Sequence, residues 1–221
     1  KGQSLTDDIA RVAAARDALP NARLKVDANM GYTLDGALEA LRKLCEYGII
    51  YAEQPVASIE DMAALRFAIA KEGLPARIAA DESIRKAEDP LKVARANAAD
   101  LMVIKAAPLG GVRRALALVE QAQLPAVVSS ALESSVGIAT GASLAASLPT
   151  LRYGCGLGTV SLMAEDVTDE PLIARDGFMD LRTITPSPQR LERLATDKQT
   201  RQWWVERVTA CYRVLERASG L

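Results

Sequence analysis

Histidine is absent from all 221 residues. That removes the Ser-His-Asp triad, the His-ligated zinc hydrolase and every imidazole general base. Cysteine is scarce and odd in number. Cys45, Cys155 and Cys211 lie far apart without CxxC spacing, which suits buried thiols in a reducing cytoplasm better than disulfides or zinc. Charge of one sign is not in excess: 27 Lys and Arg meet 28 Asp and Glu for a net −1, with no basic run. A nucleic-acid partner is therefore not expected. No apolar run approaches the ~20 residues that a bilayer demands, so a membrane partner is not expected either. The first residues do not read as a secretory leader. With 49% hydrophobic and 25% charged residues the composition is that of a globular chain and not of a disordered one.

What is present is an alternation. Ser4 caps a helix to about Leu19, with Asp7 and Asp8 in its first turn. Leu24–Asp27 reads as a strand. Thr33–Tyr47 reads as a helix with Leu34, Ala37, Leu38, Leu41, Leu44 and Cys45 on one stripe, stopped by Gly48. Strands follow at Ile49–Glu53, Arg77–Asp81, Asp100–Lys105 and Pro125–Ser129, and a sixth is expected at Arg152–Gly156. Helices follow at Ser58–Lys71, Asp89–Ala96, Gly111–Gln121 and Ser134–Leu148. Strands alternating with helices imply parallel βαβ units. The strand ends at 27, 53, 81, 105 and 129 are separated by 26, 28, 24 and 24 residues. So even a beat predicts an α/β fold of the (β/α) TIM-type barrel kind over an open doubly wound sheet. A complete barrel has eight strands, and the two not seen here are expected to precede Lys1. Residues 1–185 are read as the barrel domain. Residues 186–221 are read as a helical segment, with Trp203, Trp204, Val208, Tyr212 and Leu215 on a face that packs against the barrel or another domain.

The chemistry sits at the strand ends. Successive strands finish in Asp27, Glu53, Asp81 and Lys105. In a barrel these ends converge on one mouth. Three carboxylates there repel one another unless a cation joins them, and hard single-oxygen ligands with room for water and substrate suit Mg²⁺. Helix capping explains one such acid, but not three in successive units followed by a lysine. Lys25, two residues before Asp27, points inward one layer deeper and is expected to make a buried ion pair with a carboxylate.

These residues carry a resemblance. Val26-Asp27-Ala28-Asn29, Ala52-Glu53-Gln54-Pro55, Ala80-Asp81-Glu82-Ser83 and Val103-Ile104-Lys105 are similar, in order and spacing, to the metal and lysine motifs of the enolase superfamily. The resemblance spans roughly Leu24 to Gly158. It implies a modified (β/α)7β barrel capped by an N-terminal α+β domain. It also implies Mg²⁺-assisted abstraction of a proton beside a carboxylate. The lack of His sets aside the mandelate racemase type. The carboxylate-free Gly154-Cys155-Gly156-Leu157-Gly158 sets aside the dipeptide epimerases. The muconate cycloisomerase type remains. Within it, Ser129-Ser130-Ala131-Leu132-Glu133-Ser134-Ser135, Gly156-Leu157-Gly158-Thr159 and the opening Gly2-Gln3-Ser4-Leu5 resemble a group of dehydratases. Racemases of N-succinylamino acids share most of this frame.

By this resemblance Asp27, Glu53 and Asp81 bind Mg²⁺ and Lys105 stabilises the enediolate. Glu82 stands behind the metal ligands. Asn29, Ser129, Ser130 and Gly156 contact a small carboxylate substrate. The branch's Lys-x-Lys base is not in the sequence. It is expected before Lys1; without it the barrel would be an inactive metal-binding one. Gly110-Gly111 is read as a tight turn into the next helix.

Overall fold

The computed structural model describes residues 4–85 and 89–219. The chain opens with α1, Leu5–Ala18, whose N-cap Ser4 accepts the Asp7 amide as its sequence demands. β1 is Val26–Asp27 and α2 is Leu34–Leu44, extended by a 3-10 turn at Cys45–Tyr47 and stopped by Gly48 at φ 67°. β2 is Ala52–Glu53. α3, Ile59–Glu72, is capped by Ser58 and stopped by Gly73. β3 is Ile78–Ala80, followed by a 3-10 turn at Glu82–Ile84 and α4 at Asp89–Arg95. β4 is Leu101–Ile104, α5 Val112–Ala122, β5 Ala126–Val128 and α6 Ser135–Ser147. α7 is Pro188–Arg193 and α8 is Lys198–Ser219, both within the segment read as helical. Lys1, Gly2 and Gln3 lie outside the described residues.

The five strands pair in parallel in the order β1-β2-β3-β4-β5. Asp27 lies opposite Glu53, Glu53 opposite Ala79, and Ile104 opposite Val128. The sheet's two faces bury different things. Ala52, Ile78, Ala80, Met102, Ile104, Ala126 and Val128 pack with helix residues such as Ala40, Leu41, Met62, Leu65, Ala115, Leu118 and Ile138. Tyr51, Ala79, Leu101, Val103, Val127 and Tyr153 form a second apolar cluster with Ile50. A doubly wound sheet has helices on both faces. Here they cover one, and the other curls round its own side chains, as in a barrel. Tyr51 and Tyr153 meet edge to face at 5.5 Å inside this lining.

The strands are shorter than expected, two to four residues. The ladder continues past their ends, because the Ala28 amide donates to the Glu53 carbonyl and the Ile50 amide to the Leu24 carbonyl. The sixth strand is corrected to a single bridge between Ser129 and Gly156. Glycines on both sides of Cys155 supply no side chains to pack and leave the backbone too free to hold a longer ladder. Gly110 and Gly111, at φ 87° and 102°, make the turn into α5 that other residues disfavour.

The segment after Gly156 packs Leu157, Val160, Leu172 and Ile184 into the core and is tied back by a buried polar junction. The Ser135 hydroxyl and amide, at the start of α6, both donate to the Asp166 carboxylate, and the Leu172 amide donates to the Ser135 hydroxyl. Beyond Ser187 the burial ends. On α8 the side chains of Trp203, Trp204, Val205, Val208, Tyr212 and Leu215 are all exposed. Among the described residues no helix is long and apolar enough to cross a membrane.

Candidate active site

Alternation along each strand decides which residues meet at the mouth. The inward row of the sheet runs through Tyr51, Ala79, Val103 and Val127. Two residues further along the same row come Glu53, Asp81, Lys105 and Ser129, and the register places Asp27 beside Glu53. The Lys105 ammonium donates to Asp81 Oδ1, and both side chains are largely buried. Arg85, one turn beyond, reaches Asp81 Oδ2 at 3.6 Å and Glu82 Oε1 at 3.0 Å.

Glu53 records how close the acids are. Its carboxyl is pushed up to about 7, first by burial and then by the charges of Asp27 and Asp81, with Lys105 and Lys25 pulling the other way. A buried carboxyl beside two other acids is one whose charge a bound cation would stabilise. Among the described residues no three acidic or thiol side chains close tightly enough to enclose an ion; Asp81 is turned to Lys105 instead. The donor set nevertheless fits a hard divalent cation: three carboxylates on adjacent strand ends, with a fourth behind them.

That fourth is Glu82. Its Oε1 accepts from Asn29 Nδ2 at 3.3 Å, and its buried Oε2 has no hydrogen-bond partner. Asn29 is therefore engaged with Glu82 in this structure. It sits at φ 45° in the loop after β1, where its amide donates to Asp27 Oδ1 at 2.9 Å.

On the other side of the mouth the Ser130 hydroxyl lies 2.9 Å from both the Gly156 carbonyl and Thr159 Oγ1. The Ser129 hydroxyl lies 3.4 Å from the same carbonyl. Gly156 is explained by this neighbour: a Cβ there would fall 2.7 Å from Ser129 Oγ. Lys25 is corrected. It is exposed and not buried, its ammonium lies 5.7 Å from the Tyr51 ring centre, and it donates to the Gly154 carbonyl at 3.1 Å and not to a carboxylate.

Two residues of this region carried no expectation. Gln54 is wholly buried and hydrogen-bonded on every side, although a glutamine in a turn gives no sequence signal of that. Arg85 had none either, though its position four residues after Asp81 on a turn was the available clue.

A one-sided parallel (β/α) sheet with acids and a lysine at its mouth is the barrel of the enolase class. Residues 1–186 match the family of enolase C-terminal domain-like proteins, and the chain belongs to that family. It is 52% identical over 215 residues to the o-succinylbenzoate synthase of Mycolicibacterium smegmatis, covering 97% of this chain and 64% of that one. It is 48% identical over 220 residues to that of Mycobacterium leprae, covering 99% and 64%. The chain thus spans somewhat under two thirds of the length of these curated relatives. Among solved structures it resembles a muconate lactonizing enzyme from Pseudomonas fluorescens complexed with muconolactone. That match has a TM-score of 0.79 and 29% identity, covering 87% of this chain and 54% of that one. The muconate lactonizing enzyme of Pseudomonas putida matches at TM-score 0.79 and 28% identity, over 89% and 57%. Proteins of this superfamily generally use a divalent metal ion.

Proposed function

We propose that the chain carries the metal and lysine half of an o-succinylbenzoate synthase. The reaction is the syn elimination of water from 2-succinyl-6-hydroxy-2,4-cyclohexadiene-1-carboxylate, through an enediolate, in menaquinone biosynthesis in the cytoplasm. The observation that carries this reading is the shared mouth: Glu53 held protonated to about 7 by burial and by the charges of Asp27 and Asp81, with Lys105 bonded to Asp81 beside it. The kinship with two synthases at about half identity supports it.

Asp27, Glu53 and Asp81 would hold Mg²⁺. When bound, it supplies positive charge against the second negative charge that builds on the substrate carboxylate. Glu53 would hold the ion as a carboxylate, and Asp81 would hold it in place of its bond to the Lys105 ammonium. Lys105 would face the enediolate and stabilise its charge. Glu82 and Asn29 brace one another behind the ligands. Asn29 also borders the substrate. Ser129 and Ser130, with the backbone at Gly156, offer hydroxyl and amide donors to a substrate carboxylate. The proton is removed by the branch's second-strand lysine, which this sequence does not contain. Residues 1–185 form the barrel domain. Residues 186–221 form a segment whose exposed apolar face suits a covering domain.

Conversion of the cyclohexadiene substrate should be measured with and without Mg²⁺, in full-length protein that carries the second-strand lysine and in its Lys105→Met variant. Turnover should require Mg²⁺ and fall at least ~10³-fold in the variant, with product affinity changed less than about tenfold. Loss within tenfold would remove Lys105 from the reaction. Racemisation of N-succinylamino acids with no dehydration would assign the other activity of the branch.

A further inference from the structure

We propose that Gln54 is the positioning residue that sets the spacing of the strand-end carboxylates and thereby the affinity of their divalent-cation site. The inference rests on reading Asp27, Glu53 and Asp81 as the ligands of that site.

Gln54 follows Glu53 directly and is 0% exposed. Its backbone stands at φ 36°, a left-handed conformation that a residue with a side chain adopts only when its surroundings hold it there. Three strand ends do the holding. The Gln54 amide donates to the Ala79 carbonyl of β3 at 2.8 Å, and its carbonyl accepts the Met30 amide, in the loop after β1, at 2.7 Å. Its side chain then crosses to the loop after β3. Oε1 accepts the amides of Asp81 at 3.0 Å and Ser83 at 3.2 Å. Nε2 donates to Ser83 Oγ at 2.8 Å, to the Val56 carbonyl at 2.9 Å and to Met62 Sδ at 3.0 Å.

One residue therefore touches the backbone beside each acid: it is the next residue to Glu53, it holds the Asp81 amide, and it holds Met30, three residues after Asp27. A primary amide is the side-chain group that does this without charge, because it presents an acceptor to two amides and two donors to a hydroxyl, a carbonyl and a sulfur. A buried polar side chain with all its groups matched is rigid, since each alternative leaves a polar atom unpaired. The three acids repel one another, and a flexible mouth would let them drift apart. Gln54 opposes that drift at the backbone.

The test is calorimetric titration with Mg²⁺ alone, without substrate, well below the melting temperature. Gln54→Met keeps length and volume and removes the side-chain hydrogen bonds. Met62→Leu disturbs the same buried neighbourhood without touching the tie to Asp81. Gln54→Met should weaken Mg²⁺ binding at least about tenfold, while Met62→Leu lowers the melting temperature and leaves affinity within about twofold. Equal affinity for Gln54→Met and the parent would overturn the proposal and leave the ligand reading standing. Equal losses in both variants would make Gln54 a packing residue only and overturn it as well. Should Gln54→Met not fold, Ser83→Ala decides. That variant frees one anchor of the Gln54 amide, and a two- to fivefold loss supports the role whereas no change removes it. No Mg²⁺ binding by the parent would overturn the ligand reading together with this one.

Discussion

Replacing Glu53 by Gln keeps the shape of the side chain and removes the charge that the mouth tolerates least. In the metal-free protein the Glu53 carboxyl titrates near 7 against an ordinary value of 4.5. Each pKa unit is worth about 1.4 kcal/mol, so ionising Glu53 in the fold costs at most about 3 kcal/mol, and solvent relaxation reduces that to roughly 1–3 kcal/mol. The raised native value fixes the sign. Between about pH 4.5 and 7 the unfolded chain has lost this proton while the native chain keeps it. Stability contributed by Glu53 is therefore full below 4.5, falls as pH rises to about 7, and is gone above it. Glu53→Gln carries no proton to lose. It should match the parent below pH 4.5 and exceed it at pH 8 by about 1–3 kcal/mol, roughly 3–10 °C in melting temperature for a chain of this size. Thermal unfolding in EDTA across pH 4–8 reads this directly. Mg²⁺ should then reverse the ranking at pH 8, raising the melting temperature of the parent and not of the variant. Parallel pH profiles for the two proteins, or equal Mg²⁺ stabilisation, would refute the reasoning that Glu53 is buried among like charges.

Gly156→Ala should destabilise by about 1–3 kcal/mol, because its Cβ falls 2.7 Å from Ser129 Oγ. Urea unfolding should show Ser129→Ala restoring more than half of that loss, and additive effects would contradict the close approach. Ser135→Ala strips the Asp166 carboxylate and the Leu172 amide of a buried partner and should cost about 1–3 kcal/mol in the same assay. A change under about 0.5 kcal/mol would show that the two segments are not joined there.

The sequence by itself was enough for whatever depends on residues a few places apart. Ser4, Thr33 and Ser58 each cap the helix they precede, since a hydroxyl and an amide three residues on are neighbours in any helix start. The apolar stripe of α2, the glycine stops and the even spacing of strand ends belong to the same local order. The places of Asp27, Glu53, Asp81 and Lys105 at successive strand ends likewise set them at one mouth. Tertiary structure decided what each of these groups touches. Asp81 pairs with Lys105 and Arg85, and Lys25 with a carbonyl 129 residues away. Gln54 becomes a buried junction, and Gly156 is small because of Ser129. The last strand shrank to one bridge. Such partners are chosen by how tightly the sheet curls and where its loops cross. That curl is a sum over the whole core and leaves no mark in the few residues around any one of them.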